Sequence, residues 1–179
     1  MQKRMLLERK FEIARRNLLS VVIFSAINVL LVLANTNLSF LFSATFPLFV
    51  AGFGQAWTQE SGEPVFLLVA AAISIVVIGL YLLFYLLTKK RKGAIIGALV
   101  LFSLDTLFLV LLVLPGFDFS VLINVAFHIW IMYYLITGTR AWSGLKNLHD
   151  DDLTEPVADI EPVAYAAPRE ERDDDSSRW

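Results

Sequence analysis

Asp105 and His128 stand inside long apolar runs of this chain, and a carboxylate beside an imidazole can share or relay a proton. Three uncharged polar residues share that setting: Asn28, Ser74 and Asn124. A rise of ~1.5 Å per residue through an apolar layer ~30 Å thick sets their depths. Asn28 then falls ~15 Å from the inner face, Ser74 ~16 Å, and Asp105 and His128 ~17 Å each. Asn124 precedes His128 by one helical turn on the same face. A lone carboxylate at such a depth costs a few kcal/mol, so Asp105 is expected to face other helices and to be protonated or paired with His128. Three roles fit: a buried hydrogen-bonded cluster that fixes helix register, a proton or ion pathway, or a contact of Asp105 or Asn124 with a partner subunit.

Other chemistry has little to work with. The chain has no cysteine, so disulfides, thiolate metal sites and thiol catalysis are excluded. Its two histidines, His128 and His149, are expected on opposite sides of a membrane boundary, which leaves no metal site. No His-x-x-x-His, Gly-x-Ser-x-Gly or phosphate-cradling glycine loop occurs, and the apolar runs hold one aspartate where paired-aspartate proteolysis needs two. No catalytic residue and no cofactor is expected. A lipid-directed enzyme is the remote alternative.

The elements that position these residues follow from composition. Of 179 residues, 57% are hydrophobic and 18% charged, well outside the balance of a soluble domain. Four apolar runs, about 18–34, 65–87, 94–114 and 120–137, approach or exceed the ~20 residues a helical span needs. The first lacks a cleavage site and reads as a retained helix. None alternates as barrel strands do. All fifteen Lys and Arg lie before the first run, between the second and third (Lys89, Lys90, Arg91, Lys92), or after the fourth. That partition predicts an even number of spans with both termini cytoplasmic, in a plasma (inner) membrane. Short links at 88–93 and 115–119 make spans 2, 3 and 4 antiparallel neighbours. The expected class is therefore all-α: a polytopic membrane protein built as an antiparallel four-transmembrane-helix bundle over residues 18–142.

Three segments flank that domain. Residues 1–17 read as a basic cytoplasmic helical extension, with Arg4/Glu8 and Glu12/Arg16 pairs, held to anionic lipid headgroups. The external segment 35–64 carries Phe42, Phe46, Phe49, Phe53 and Trp57 on one helical face. It is too short to span, and Pro47 is expected to interrupt it; it should lie in the outer interface or dip in and return, as a cover for the helix ends or a docking surface. From 143 to 179 the chain turns acidic and proline-bearing and is expected to be a disordered cytoplasmic tail. Gly93 and Gly97, overlapped by alanines, permit close helix approach within the domain or between protomers.

Taken together, these features lead to a non-enzymatic accessory, regulatory or scaffolding subunit of a membrane complex, touching anionic lipid and a protein partner or second copy. No nucleic-acid binding is expected, because the basic patches meet lipid phosphate first. The alternative is a small oligomeric channel or transporter coupled to protons through Asp105 and His128.

Overall fold

The computed structural model describes residues 2–36, 43–114 and 119–154. These form five helices and, among the described residues, no strand: α1 (Gln2–Leu33), α2 (Thr45–Ser61), α3 (Val65–Lys90), α4 (Ala94–Val113) and α5 (Phe119–Thr154). Four stretches are long and apolar enough to cross a membrane: α1, α3, α4 and the Leu122–Leu148 part of α5. Each falls on one of the four apolar runs, and the protein is all-helical.

Of the long helices, α3 and α4 are apolar on nearly every side. In α3, Leu68, Val76 and Leu83 are exposed while Ala70, Ala71, Ser74 and Tyr81 are buried; in α4, Leu104, Leu107 and Leu111 are exposed while Ala98, Phe102 and Asp105 are buried. The inward faces of α3 and α4 carry mostly small, polar and aromatic residues, while most leucines and valines face out. Small residues let neighbours approach. A Cβ on Gly138 would overlap the Ala14 methyl, which brings α1 against α5, and one on Gly54 would overlap Ala70, which brings α2 against α3. On α4 the two glycines admit aromatic rings from within the same chain: Gly97 receives Phe84 of α3, and Gly93 receives Trp142 of α5.

Contacts run antiparallel. Leu7 meets Gly144, and Ala14 meets Gly138, across α1 and α5. The core draws Phe11, Leu18 and Val21 from α1, Tyr81 from α3, Ile95 and Phe102 from α4, and Ile131 and Leu135 from α5. Thus α2 is the short element among four long ones.

The basic segment extends the first span as one unbroken helix, α1, as expected. Several other details differ from the sequence reading. Within α1 Arg4 pairs with Glu8 at 3.4 Å, but Glu12 pairs with Arg15 at 2.7 Å rather than with Arg16. Arg15 wins because its guanidinium also reaches Thr88 Oγ1 at 2.9 Å and lies over the Tyr85 ring, packing that Arg16 lacks. At the other end α5 continues to Thr154, so residues 143–154 of the expected disordered tail are helical. Pro47 does not interrupt α2. It is the third residue of that helix, in the first turn, where the missing N–H costs nothing. Phe42 and the tail residues 155–179 lie outside the described residues.

Candidate functional site: the buried turn that opens α2

Locally, α2 has no reason to start where it does. Its N-cap is Ala44, which has no side chain able to accept a hydrogen bond, and no acidic residue follows in the first turn. The first donors of a helix have no partner inside it, and leaving them bare in a dry interior costs about 1–3 kcal/mol each. Here each donor finds an acceptor on another helix. The Ala44 N–H donates to Ser25 Oγ of α1 at 2.9 Å. Thr45 N–H donates to Asp105 Oδ2 and Phe46 N–H to Asp105 Oδ1, both at 2.8 Å. Pro47 has no N–H to satisfy. The Asp105 side chain of α4 therefore acts as an N-cap supplied from elsewhere in the fold.

The same short segment is held from every side. Asn28 of α1 donates through Nδ2 to Ser43 Oγ at 2.7 Å. Ser74 of α3 lies with its hydroxyl 2.9 Å from the Pro47 carbonyl and 2.9 Å from that of Ala70 in its own helix. His128 of α5 sits with Nε2 at 3.0 Å from Asp105 Oδ2 and 3.3 Å from Thr45 Oγ1. All four long helices contribute a polar group to residues 43–47. Ser25, Asn28, Ser43, Ser74 and His128 are all under 4% exposed, so these contacts are made away from solvent.

Histidine completes the inventory of protons. Its Nδ1 is 2.9 Å from the Asn124 carbonyl, which can only accept, so Nδ1 carries a hydrogen. Nε2 faces the carboxylate. Nε2 also faces the Thr45 hydroxyl at 3.3 Å. Phe102 stacks on the imidazole with centroids 5.1 Å apart, and Phe127 meets it edge-on at 5.9 Å, fixing the ring plane. The Asn124 side chain does not join in: its Oδ1 is buried with no partner among the described residues.

Of the residues singled out by depth, the structure joins Asp105 and His128 directly. Asn28 it brings to Ser43, and Ser74 to the Pro47 carbonyl, at the two ends of residues 43–47. The polar residues converge on a turn of backbone rather than on one another. Ser25, Ser43 and Thr45 are the participants that depth alone passed over. A signal for them existed in Ser25 standing almost one turn before Asn28 on α1, and in the Ser-Ala-Thr run before a proline.

From this turn α2 runs outward along α3. Gly54 packs on Ala70, Trp57 meets Phe66 at 5.7 Å, and Thr58 Oγ1 accepts the Leu67 N–H at 3.0 Å. Gly62 then adopts φ 75°, a left-handed cap suited to glycine, and its N–H donates to the Thr58 carbonyl at 2.9 Å. Asn35, at φ 53° beyond the end of α1, accepts from the Gln55 amide and from Gln59 at 3.3 Å.

Along α2, Phe46 and Phe49 both meet Phe108 of α4, at 5.2 and 5.3 Å, and the row continues through Phe53 to Trp57. The outer part of this row is exposed, Phe53 by 56%. An apolar groove of about 380 Å³ lies between α2 and α3, walled by Phe49, Phe53, Trp57, Phe66 and Val69. A second groove, about 310 Å³, passes between Phe46, Leu104 and Phe108 to reach Asp105 and Tyr81. Among the described residues no cluster of three or more His, Cys, Asp or Glu could hold a metal ion. No protein-family model, curated protein or solved structure matches this chain.

Proposed function

We propose that this chain is a non-enzymatic integral membrane protein that serves as an accessory, regulatory or scaffolding subunit of a membrane complex. In this reading α1, α3, α4 and α5 form an antiparallel four-span bundle in the plasma (inner) membrane, with both termini cytoplasmic. The support for that placement is the apolar surface of α3 and α4 on all sides, together with the confinement of Lys and Arg to one set of links. Here α2 is a re-entrant helix. It begins near the midplane and runs out toward the external surface, permitted at that depth because its backbone donors are all satisfied by protein.

One observation carries the functional reading: Asp105, His128, Asn28 and Ser74 are all engaged in holding the first turn of α2. Polar groups spent on positioning a helix suit a module that presents a surface. The surface presented is the exposed aromatic edge of Phe49, Phe53 and Trp57. Chemical crosslinking in native membranes, followed by purification of the full chain, tests it. A stoichiometric protein partner whose recovery falls when Phe49, Phe53 and Trp57 become alanine supports the reading. A chain recovered alone, or with recovery indifferent to those substitutions, ends it.

A second reading is favoured by a separate feature, the 3.0 Å contact between His128 Nε2 and Asp105 Oδ2, with Asp105 itself lining a groove. That arrangement suits a small proton-coupled channel or transporter. Liposomes holding the purified chain would then show pH-driven flux that Asp105→Asn abolishes, whereas the accessory reading expects none in either protein.

A further inference from the structure

At the end of the molecule opposite the α2 aromatic row, a cleft of about 300 Å³ opens between the N-terminal part of α1, the α3–α4 link and residues 142–148 of α5. Three cations border it: Arg4, Lys92 and Lys146. Among the described residues Arg4 alone of the three has an acidic partner, Glu8 at 3.4 Å, so the cleft keeps a surplus of positive charge. Its other wall is apolar, with Trp142 and Leu145. The Trp142 ring packs against Gly93, where a Cβ would stand 3.0 Å from its Cζ2, and Lys92 extends over the Phe11 ring with Nζ 5.9 Å from its centre. An indole beside several cations, half polar and half apolar, fits an amphiphile with an anionic head.

We propose that this cleft binds the phosphodiester headgroup of an anionic phospholipid from the inner leaflet. The inference rests on the membrane reading above, which sets Lys92 and Trp142 at the inner end of α4. Tryptophan and lysine are the residues that suit this depth, one amphipathic and one able to reach phosphate. The charge balance selects among lipids. Phosphatidylglycerol brings one uncompensated negative charge to the three cations, whereas the choline or ethanolamine of a zwitterionic lipid would bring an ammonium group against Lys92 or Lys146. Glu8 stays with Arg4 and leaves the two lysines to the phosphate.

The test uses the full chain in phosphatidylcholine nanodiscs, with Trp57, Trp130 and Trp179 changed to phenylalanine so that Trp142 is the sole indole. Phosphatidylglycerol brominated near the top of its acyl chains is titrated against identically brominated phosphatidylcholine. Saturable quenching by the anionic lipid well beyond the phosphatidylcholine baseline is expected, and Lys92→Gln with Lys146→Gln should weaken it roughly thirty-fold. Equal quenching by the two lipids, or no loss in the double variant, overturns the proposal. Blocking by millimolar inorganic phosphate would mark a soluble-anion site and also overturn it. So would a ten-fold gain in affinity on changing Asp150, Asp151 and Asp152 to asparagine, because the chain's own acids would then be the occupant. Labelling of a cysteine placed at Lys90 decides the membrane reading independently, so a correctly inserted chain without lipid preference sinks this inference alone.

Discussion

Asp105 Oδ2 accepts the backbone N–H of Thr45 at 2.8 Å, so a carboxylate sixty residues downstream closes the first turn of α2. The cap that a helix ordinarily takes from its own sequence is here part of the tertiary structure. Consequences for stability follow from the geometry of the two oxygens.

Asparagine cannot replace Asp105. Both carboxylate oxygens accept a backbone N–H, from Thr45 and from Phe46, and an amide has one oxygen. Whichever way it turns, one donor faces an NH₂ group. Asp105→Asn should therefore lose about 1–3 kcal/mol, and Asp105→Ala about 3–5 kcal/mol because it also strips His128 of its partner. Thermal or denaturant unfolding in detergent measures both. An asparagine variant as stable as the parent would contradict the capping role.

The imidazole of His128 should show a hydrogen on Nδ1. Nitrogen-15 spectra of the selectively labelled protein report this directly, since the Asn124 carbonyl offers Nδ1 nothing but an acceptor. A bare Nδ1 would mean that the ring is flipped or the contact absent. In Asp105→Asn the hydrogen should remain on Nδ1 while Nε2 becomes an acceptor for the new amide.

Gly54 sets the distance between α2 and α3. A methyl there would overlap the Ala70 methyl and stand 3.0 Å from the Phe66 carbonyl, part of the backbone that cannot swing aside. Gly54→Ala should cost about 1–3 kcal/mol by overpacking. Ala70→Gly in the same chain removes the larger clash and should recover part of the loss. If the double variant is no better than the single one, the crossing is not the cause.

Because the chain has no cysteine, single cysteines can map its sidedness without background. In intact cells an impermeant maleimide should label Glu60→Cys, beyond the α2 aromatic row, and spare Lys90→Cys until the membrane is opened. Labelling of both without disruption would remove the four-span topology and the depth assigned to Asp105.

Much of the fold was legible because the long apolar runs carry two independent signals, length and the placement of charge. The boundaries of α3 and α4 came within a few residues for this reason: Pro64 stands before one and Gly93 before the other. Depth bookkeeping also put Asp105 and His128 at one level, since rise per residue is constant along a helix. It said nothing about what lies between helices, and there the reading fell short. The start of α2 is set by acceptors on α1 and α4, so no local pattern around Ala44 could reveal it. Nor could spacing alone choose Arg15 over Arg16 for Glu12, a choice made by Thr88 and Tyr85 of another helix. The helical end of α5 was hidden by the acidic composition that begins at Asp150, which describes solubility better than it describes backbone.

The order of synthesis gives the Asp105 cap a temporal side. Thr45 leaves the ribosome sixty residues before Asp105 and eighty-three before His128. At about 5–20 residues per second, the second interval is roughly 4–17 s. In the proposed membrane topology the nascent α2 keeps two uncapped amides, those of Thr45 and Phe46, and must linger at an aqueous border or against the insertion machinery; Ala44 alone finds its acceptor, Ser25, already made. It can slip into place only once the final hairpin has been threaded. The last helices made thus license the second, and a chain arrested before Asp105 should hold that segment outside.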